Sequence, residues 1–120
     1  MEWANPSEMN ITERLAGRYR VIEVGEDITN PNVTEFSAIL DAAIERGPLC
    51  LLLDLGRVPY VTSRGLGAIV GAYTVLRKRG GNLVLLNPQP EVRRLLELTR
   101  LDRILDIVSS EDEAARRLSI

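Results

Sequence analysis

The run Leu49-Cys50-Leu51-Leu52-Leu53-Asp54-Leu55 has no polar side chain before Asp54. An apolar run of this length, without alternation, reads as a strand buried on both faces, and such strands belong to parallel sheets covered by helices. Asn82-Leu83-Val84-Leu85-Leu86 is a second strand of the same kind. After the first run comes a short loop, Gly56-Arg57-Val58-Pro59-Tyr60-Val61, and then Thr62-Ser63 opens a helical pattern. Backbone N–H groups at a helix start favour an anion, so a hydroxyl there is either a cap or a place to put a phosphate.

The rest of the chain fits an alternation of strands and helices. Residues 1–10 read as a polar lead-in and residues 11–120 as one domain. Ile11–Val24 holds two short strands broken by Ala16-Gly17, and Gly25–Asn32 is a polar loop with turn chemistry. Val33, Phe36, Leu40, Ala43 and Ile44 recur at the helical period, and Gly47-Pro48 ends that helix. Leu66, Ile69, Val70, Tyr73 and Leu76 form a second helical stripe, ended by Arg77-Lys78-Arg79 and Gly80-Gly81. Pro90 to Thr99 reads as a third helix with Val92, Leu95 and Leu96 inward, and Ile104 to Val108 as a last short strand. Ser110 and Glu113 have capping-box spacing and open a terminal helix carrying Ala114, Ala115 and Leu118. The expected fold is an α/β domain. Its mixed open sheet has about five strands, parallel apart from an antiparallel edge, and about four helices cover it.

Composition narrows the chemistry. The 120 residues contain no histidine, so neither a Ser-His-Asp nor a Cys-His site can be built, and the commonest metal ligand is missing. The single Cys50 sits in the apolar run and reads as a core residue. The acidic residues, Asp54 included, show no spacing that pairs them for catalysis. No cofactor and no metal are expected. A net charge of −2 argues against nucleic acid or an anionic membrane as the main partner. There is no apolar run long enough to span a bilayer and no basic-then-apolar leader, which points to the cytoplasm.

In open α/β sheets, ligands gather beyond the carboxyl ends of the strands. Gly25–Asn32, Gly56–Ser63 and Asn87–Pro90 meet at that edge. Ser63 reads either as a helix cap or as a phosphate acceptor, with Thr62 as the other cap or second acceptor, and Arg64 as a cation able to partner a phosphate. Gly67 and Gly71 lie four apart with Ala68 and Ala72 alongside. Such a face either packs closely on the sheet or offers a flat surface to another protein. Gly65-Leu66-Gly67 lacks the further glycine and the position of a phosphate-cradling loop, so nucleotide binding is weakly supported.

The segment from Asp54-Leu55 through Thr62-Ser63-Arg64-Gly65-Leu66-Gly67 resembles the signature of STAS domains, specifically bacterial anti-sigma factor antagonists. In that family an apolar strand ending in Asp-Leu is followed by a short loop and by Asp-Ser-Ser-Gly-Leu-Gly opening a helix. The likeness continues through Gly80–Pro88, Glu91–Asp102 and Ser110–Ala114, and spans roughly residues 10–118. The resemblance implies a regulatory binding module, not an enzyme. The unphosphorylated protein would bind an anti-sigma factor of the GHKL serine kinase class and so free a sigma factor. Phosphorylation of the serine matching Ser63 would release the complex, and a PP2C-type phosphatase would reset it. The partner surface carried over comprises Gly25, Glu26, Asp27, Thr62, Ser63, Arg64, Gly65, Gly67, Ala68, Gly71 and Asn87, on a monomer or weak dimer.

The sequence departs from that pattern where it matters most. The acidic residue before the phosphoserine is Thr62, the second serine is Arg64, and Gly-Glu-Leu-Asp is replaced by Gly25-Glu26-Asp27-Ile28. The changed loop alters the contact surface there, and Thr62 and Arg64 motivate an alternative in which the switch is lost or retuned. The protein would then be a STAS-type scaffold or a subunit of a transport complex.

Overall fold

A computed structural model describes residues 9–118; most of the polar lead-in read over residues 1–10 lies outside them. Five strands form one sheet in the spatial order of the chain: β1 (Ile11–Ala16), β2 (Tyr19–Val24), β3 (Cys50–Asp54), β4 (Asn82–Leu86) and β5 (Asp106–Val108). β1 pairs antiparallel with β2, and every later pairing is parallel. Four helices, α1 (Val33–Arg46), α2 (Ser63–Lys78), α3 (Pro90–Leu98) and α4 (Glu111–Leu118), lie between or after the parallel strands. This is the mixed sheet with four helices that the alternation of patterns predicts.

The unbroken apolar runs are explained by the two cores. On one face Ile22, Leu51, Leu53, Leu83 and Leu85 pack under Phe36, Leu40 and Ile44 of α1, Leu66, Ile69 and Leu76 of α2, and Val92 and Leu96 of α3. On the other, Val21, Cys50, Leu52, Val84, Leu86 and Val108 pack under Ala114 and Leu118 of α4. Successive residues of β3 and β4 therefore point into different cores, and neither strand has a wet face. Cys50 lies in the smaller core, where burial pushes its thiol pKa upward.

β1 is the wet edge. Leu15 stands 61% exposed, and Arg14 and Glu13 pair with Glu111 of α4 and Arg46 of α1. At the far end of α2 the chain turns through Gly80 at φ +87 and enters β4 hard against β3. A Cβ on Gly81 would stand 1.8 Å from the Leu49 carbonyl oxygen, so only glycine allows that approach.

Two details differ from the sequence reading. The last strand is only Asp106–Val108, because Leu101–Arg103 winds into a single 3-10 turn and Ile104 ends it 52% exposed. The box at α4 is also shifted. Glu113 N–H donates to Ser110 Oγ at 3.1 Å, but the Glu113 carboxylate accepts from the N–H of Ser109, not Ser110.

Candidate functional site

The loops after β2 and β3 are stitched together at the carboxyl edge of the sheet. Ile28 N–H donates to the Tyr60 carbonyl at 3.0 Å, and Thr62 N–H donates to the Ile28 carbonyl at 2.9 Å. This one-rung parallel bridge joins buried Ile28 to buried Val61 and leads directly into α2. Gly65 sits on the pair. A Cβ there would meet Ile28 Cγ2 and Val61 Cγ1, each at 2.8 Å, so the first turn of α2 rests on the bridge with no room for a side chain.

The hydroxyl that caps α2 belongs to Thr62. Its backbone is extended, and its Oγ1 accepts the Gly65 N–H at 3.2 Å. Ser63 is the first helical residue, exposed to water, and its hydroxyl has no hydrogen-bond partner among the described residues. No acidic side chain occupies the first turn of α2. Ser63 thus stands free at the positive end of the helix dipole.

The small residues of α2 divide between its two sides. Ala72 is buried and Ala68 packs against the larger core. Gly67 and Gly71 face solvent, and a Cβ added to either would meet nothing within 4 Å. Of the two readings, close packing holds for the alanines and not for the two glycines. The glycines leave a bare strip of helix beside Ser63.

Two recesses flank the strip. Ser63 lines an open cleft of about 250 Å³ with Tyr60 and Val61 of its own loop and with Glu91, Arg94, Leu95 and Leu98 of α3. Leu98 is 70% and Tyr60 53% exposed, so apolar surface stands beside the free hydroxyl. Arg64 and Ala68 turn the other way, into a groove of about 470 Å³ between α1 and α2 that includes Ala38 and Asp41.

The loop after β2 is braced as much as it is displayed. The Glu26 carboxylate accepts the Asn10 N–H, and Gly25 N–H donates to the Asn10 carbonyl at 2.8 Å. The exposed Asp27 gives its carbonyl to Asn32 Nδ2 at 2.9 Å. On the other side, Asp54 Oδ1 accepts the Gly56 N–H at 2.9 Å and Gln89 Nε2 donates to the Gly56 carbonyl at 3.0 Å. Asp54 is thus a turn-forming residue. Asn87 is exposed, in a left-handed conformation at φ +51, and abuts Gly56.

Gly25, Glu26, Asp27, Thr62, Ser63 and Gly65 therefore share one edge, with Gly67 and Gly71 running down α2 from it. Tyr60, Arg94 and Leu98 are members of this region that the sequence reading leaves out. Glu91, Arg94, Leu95 and Leu98 stand at i, i+3, i+4 and i+7, so one stripe of α3 faces the cleft. That spacing, ending on an apolar residue with nothing to cover it, is the signal that marks them. Among the described residues no group of three acidic or thiol side chains gathers as metal ligands would, and no helix is long and apolar enough to cross a membrane.

The sequence model of the STAS domain matches residues 8–114. The anti-sigma-B factor antagonist of Listeria monocytogenes is 35% identical over 107 residues, 88% of this chain and 91% of that protein. The crystal structure of an anti-sigma factor antagonist from Mycobacterium paratuberculosis superposes with a TM-score of 0.84 at 21% identity, over 98% of this chain and all of that one. The anti-sigma factor antagonist SpoIIAA in its unphosphorylated form gives 0.77 at 23% identity, over 92% and 97%.

Proposed function

The chain belongs to the STAS domain family, and on that footing we propose that it is an anti-sigma factor antagonist switched by phosphorylation of Ser63. In this reading it works in the cytoplasm and binds an anti-sigma factor of the GHKL serine kinase class, freeing a sigma factor. The kinase then phosphorylates Ser63, and a PP2C-type phosphatase restores the binding form. The observation that carries the proposal is the division of labour at the start of α2. Thr62 takes the cap, and Ser63 is left exposed beside the bare Gly67–Gly71 strip.

The physical consequences run in opposite directions for the chain and for its partner. A phosphate on Ser63 adds close to two negative charges at a helix N-terminus, where free N–H groups and the dipole favour it. The domain itself therefore tolerates the modification. A partner seated on the strip and on Tyr60 and Leu98 would have to bury that charge, and unpaired buried charge is costly. Every 1.4 kcal/mol of that cost weakens the complex tenfold.

The test is to incubate the protein with its cognate kinase and ATP, map phosphate by mass spectrometry, and compare partner capture by wild type and Ser63→Asp. Label on Ser63 and loss of capture by Ser63→Asp are expected. No label on Ser63 or Thr62, with capture unchanged in Ser63→Asp, sinks the proposal. That outcome supports the second reading, a STAS-type scaffold or transport-complex subunit. Thr62, standing at the cap where the family pattern has an acidic residue just before the serine, motivates that reading.

A further inference from the structure

Ser63 and Arg64 are neighbours in sequence but not in the recesses they line. Consecutive helical residues diverge by about 100°. Ser63 accordingly opens onto the cleft against α3, and Arg64 onto the groove against α1, where Asp41 is the facing charge. The cation that shares the cleft with Ser63 is Arg94, thirty-one positions later. Arg94 is exposed and has no ion-pair partner among the described residues, whereas Arg93 beside it is paired with Glu97 at 3.6 Å. The charged and titratable groups around the Ser63 hydroxyl are therefore Arg94 and Glu91 from α3, Tyr60 from its own loop and Arg64 from the next position of α2.

We propose that Arg94, and not Arg64, is the counter-ion of a phosphate on Ser63, drawing it across the cleft onto α3. The proposal rests on phosphorylation of Ser63 as read above. The planar guanidinium offers paired N–H donors that match two phosphate oxygens, a geometry that ammonium groups do not reproduce. Leu95, Leu98 and Tyr60 line the same cleft and supply apolar surface beside the two groups. Glu91 opposes the ion pair from one turn earlier on the same stripe. The pairing gives the switch a second component. Besides repelling a partner, the phosphate closes the cleft between Tyr60 and Leu98 and withdraws that apolar surface from contact.

The experiment uses protein carrying phosphoserine at position 63, installed during translation, with the phosphate titrated by phosphorus NMR. Arg94→Gln should raise the second phosphate ionisation by about half a pH unit or more, since an opposing charge nearby favours the dianion. Arg94→Lys should recover part of the difference, Glu91→Gln should lower the value, and Arg64→Gln should move it clearly less than Arg94→Gln does. Coincident titrations of Arg94→Gln and the parent phosphoprotein, or a larger shift from Arg64→Gln, would overturn the assignment. Because no kinase is involved, failure of enzymatic labelling bears on the switch alone, and coincident titrations bear on Arg94 alone.

Discussion

Thr62 and Ser63 offer the same hydroxyl one residue apart, and the helix uses only the first. Sequence leaves that choice open, because either residue can cap, and only the extended backbone at Thr62 decides it. Thr62→Ala should cost about 1 kcal/mol in chemical denaturation, and Thr62→Ser should restore most of it. Ser63→Ala, which removes an unpartnered exposed hydroxyl, should stay within about 0.5 kcal/mol of the parent. The glycines of α2 are equally silent in sequence, since glycine carries no hydropathy to assign it to a face. Gly65 is pressed onto Ile28 and Val61, so Gly65→Ala should destabilise by about 1–3 kcal/mol through overpacking. Gly67→Ala meets open space in an exposed helix and should raise stability, by up to about 1 kcal/mol. If the two substitutions cost the same in thermal or urea unfolding, the assignment of Gly65 and Gly67 to opposite sides is wrong.

Elements were the most legible level of this chain, because their signals are periodic and local. β3 and β4 announce themselves by apolar runs with no wet face, and the stripe Val33, Phe36, Leu40, Ala43, Ile44 marks α1 along its buried side. Legibility fails where periodicity competes with packing. Ile104 has the composition of a strand residue but ends a 3-10 turn, and Leu95 fits an inward position yet is only half-buried at the cleft. Arg94 was invisible for a different reason: nothing local ties α3 to the start of α2, and only the parallel sheet brings them together. The two-core architecture predicts a sharp contrast. Leu52→Ala, in the smaller core, should lose about 2–5 kcal/mol, and Leu98→Ala on the cleft rim should stay within about 0.5 kcal/mol in the same urea titrations. Cys50 reports on the same core. Burial raises its thiol pKa, so the reactive thiolate is scarcer at pH 8 than in an exposed cysteine. Alkylation should be slow in the native state and rapid once α4 and the sheet separate in denaturant.

The molecule as a whole is built so that a change at Ser63 stays local. The start of α2 is fixed by the Ile28–Val61 bridge, by Gly65 resting on it and by the Thr62 cap, and none of these involves the Ser63 side chain. Below them, Leu53 and Leu85 lie fully buried in the larger core that α2 helps to form. Cores packed this closely do not deform for a surface charge. A negative group at position 63 also meets the favourable end of the α2 dipole, so it brings no drive to unwind the first turn. A switch here must therefore act on the contact surface itself, not by refolding the domain. Ser63→Asp should unfold within about 1 kcal/mol of wild type, with any shift toward greater stability. Its amide NMR spectrum should move only in the loops after β2 and β3, the first two turns of α2 and the cleft face of α3. Displacements spread through β3, β4 and α4 would mean instead that the charge reorganises the sheet, and a local electrostatic switch would no longer account for loss of the partner.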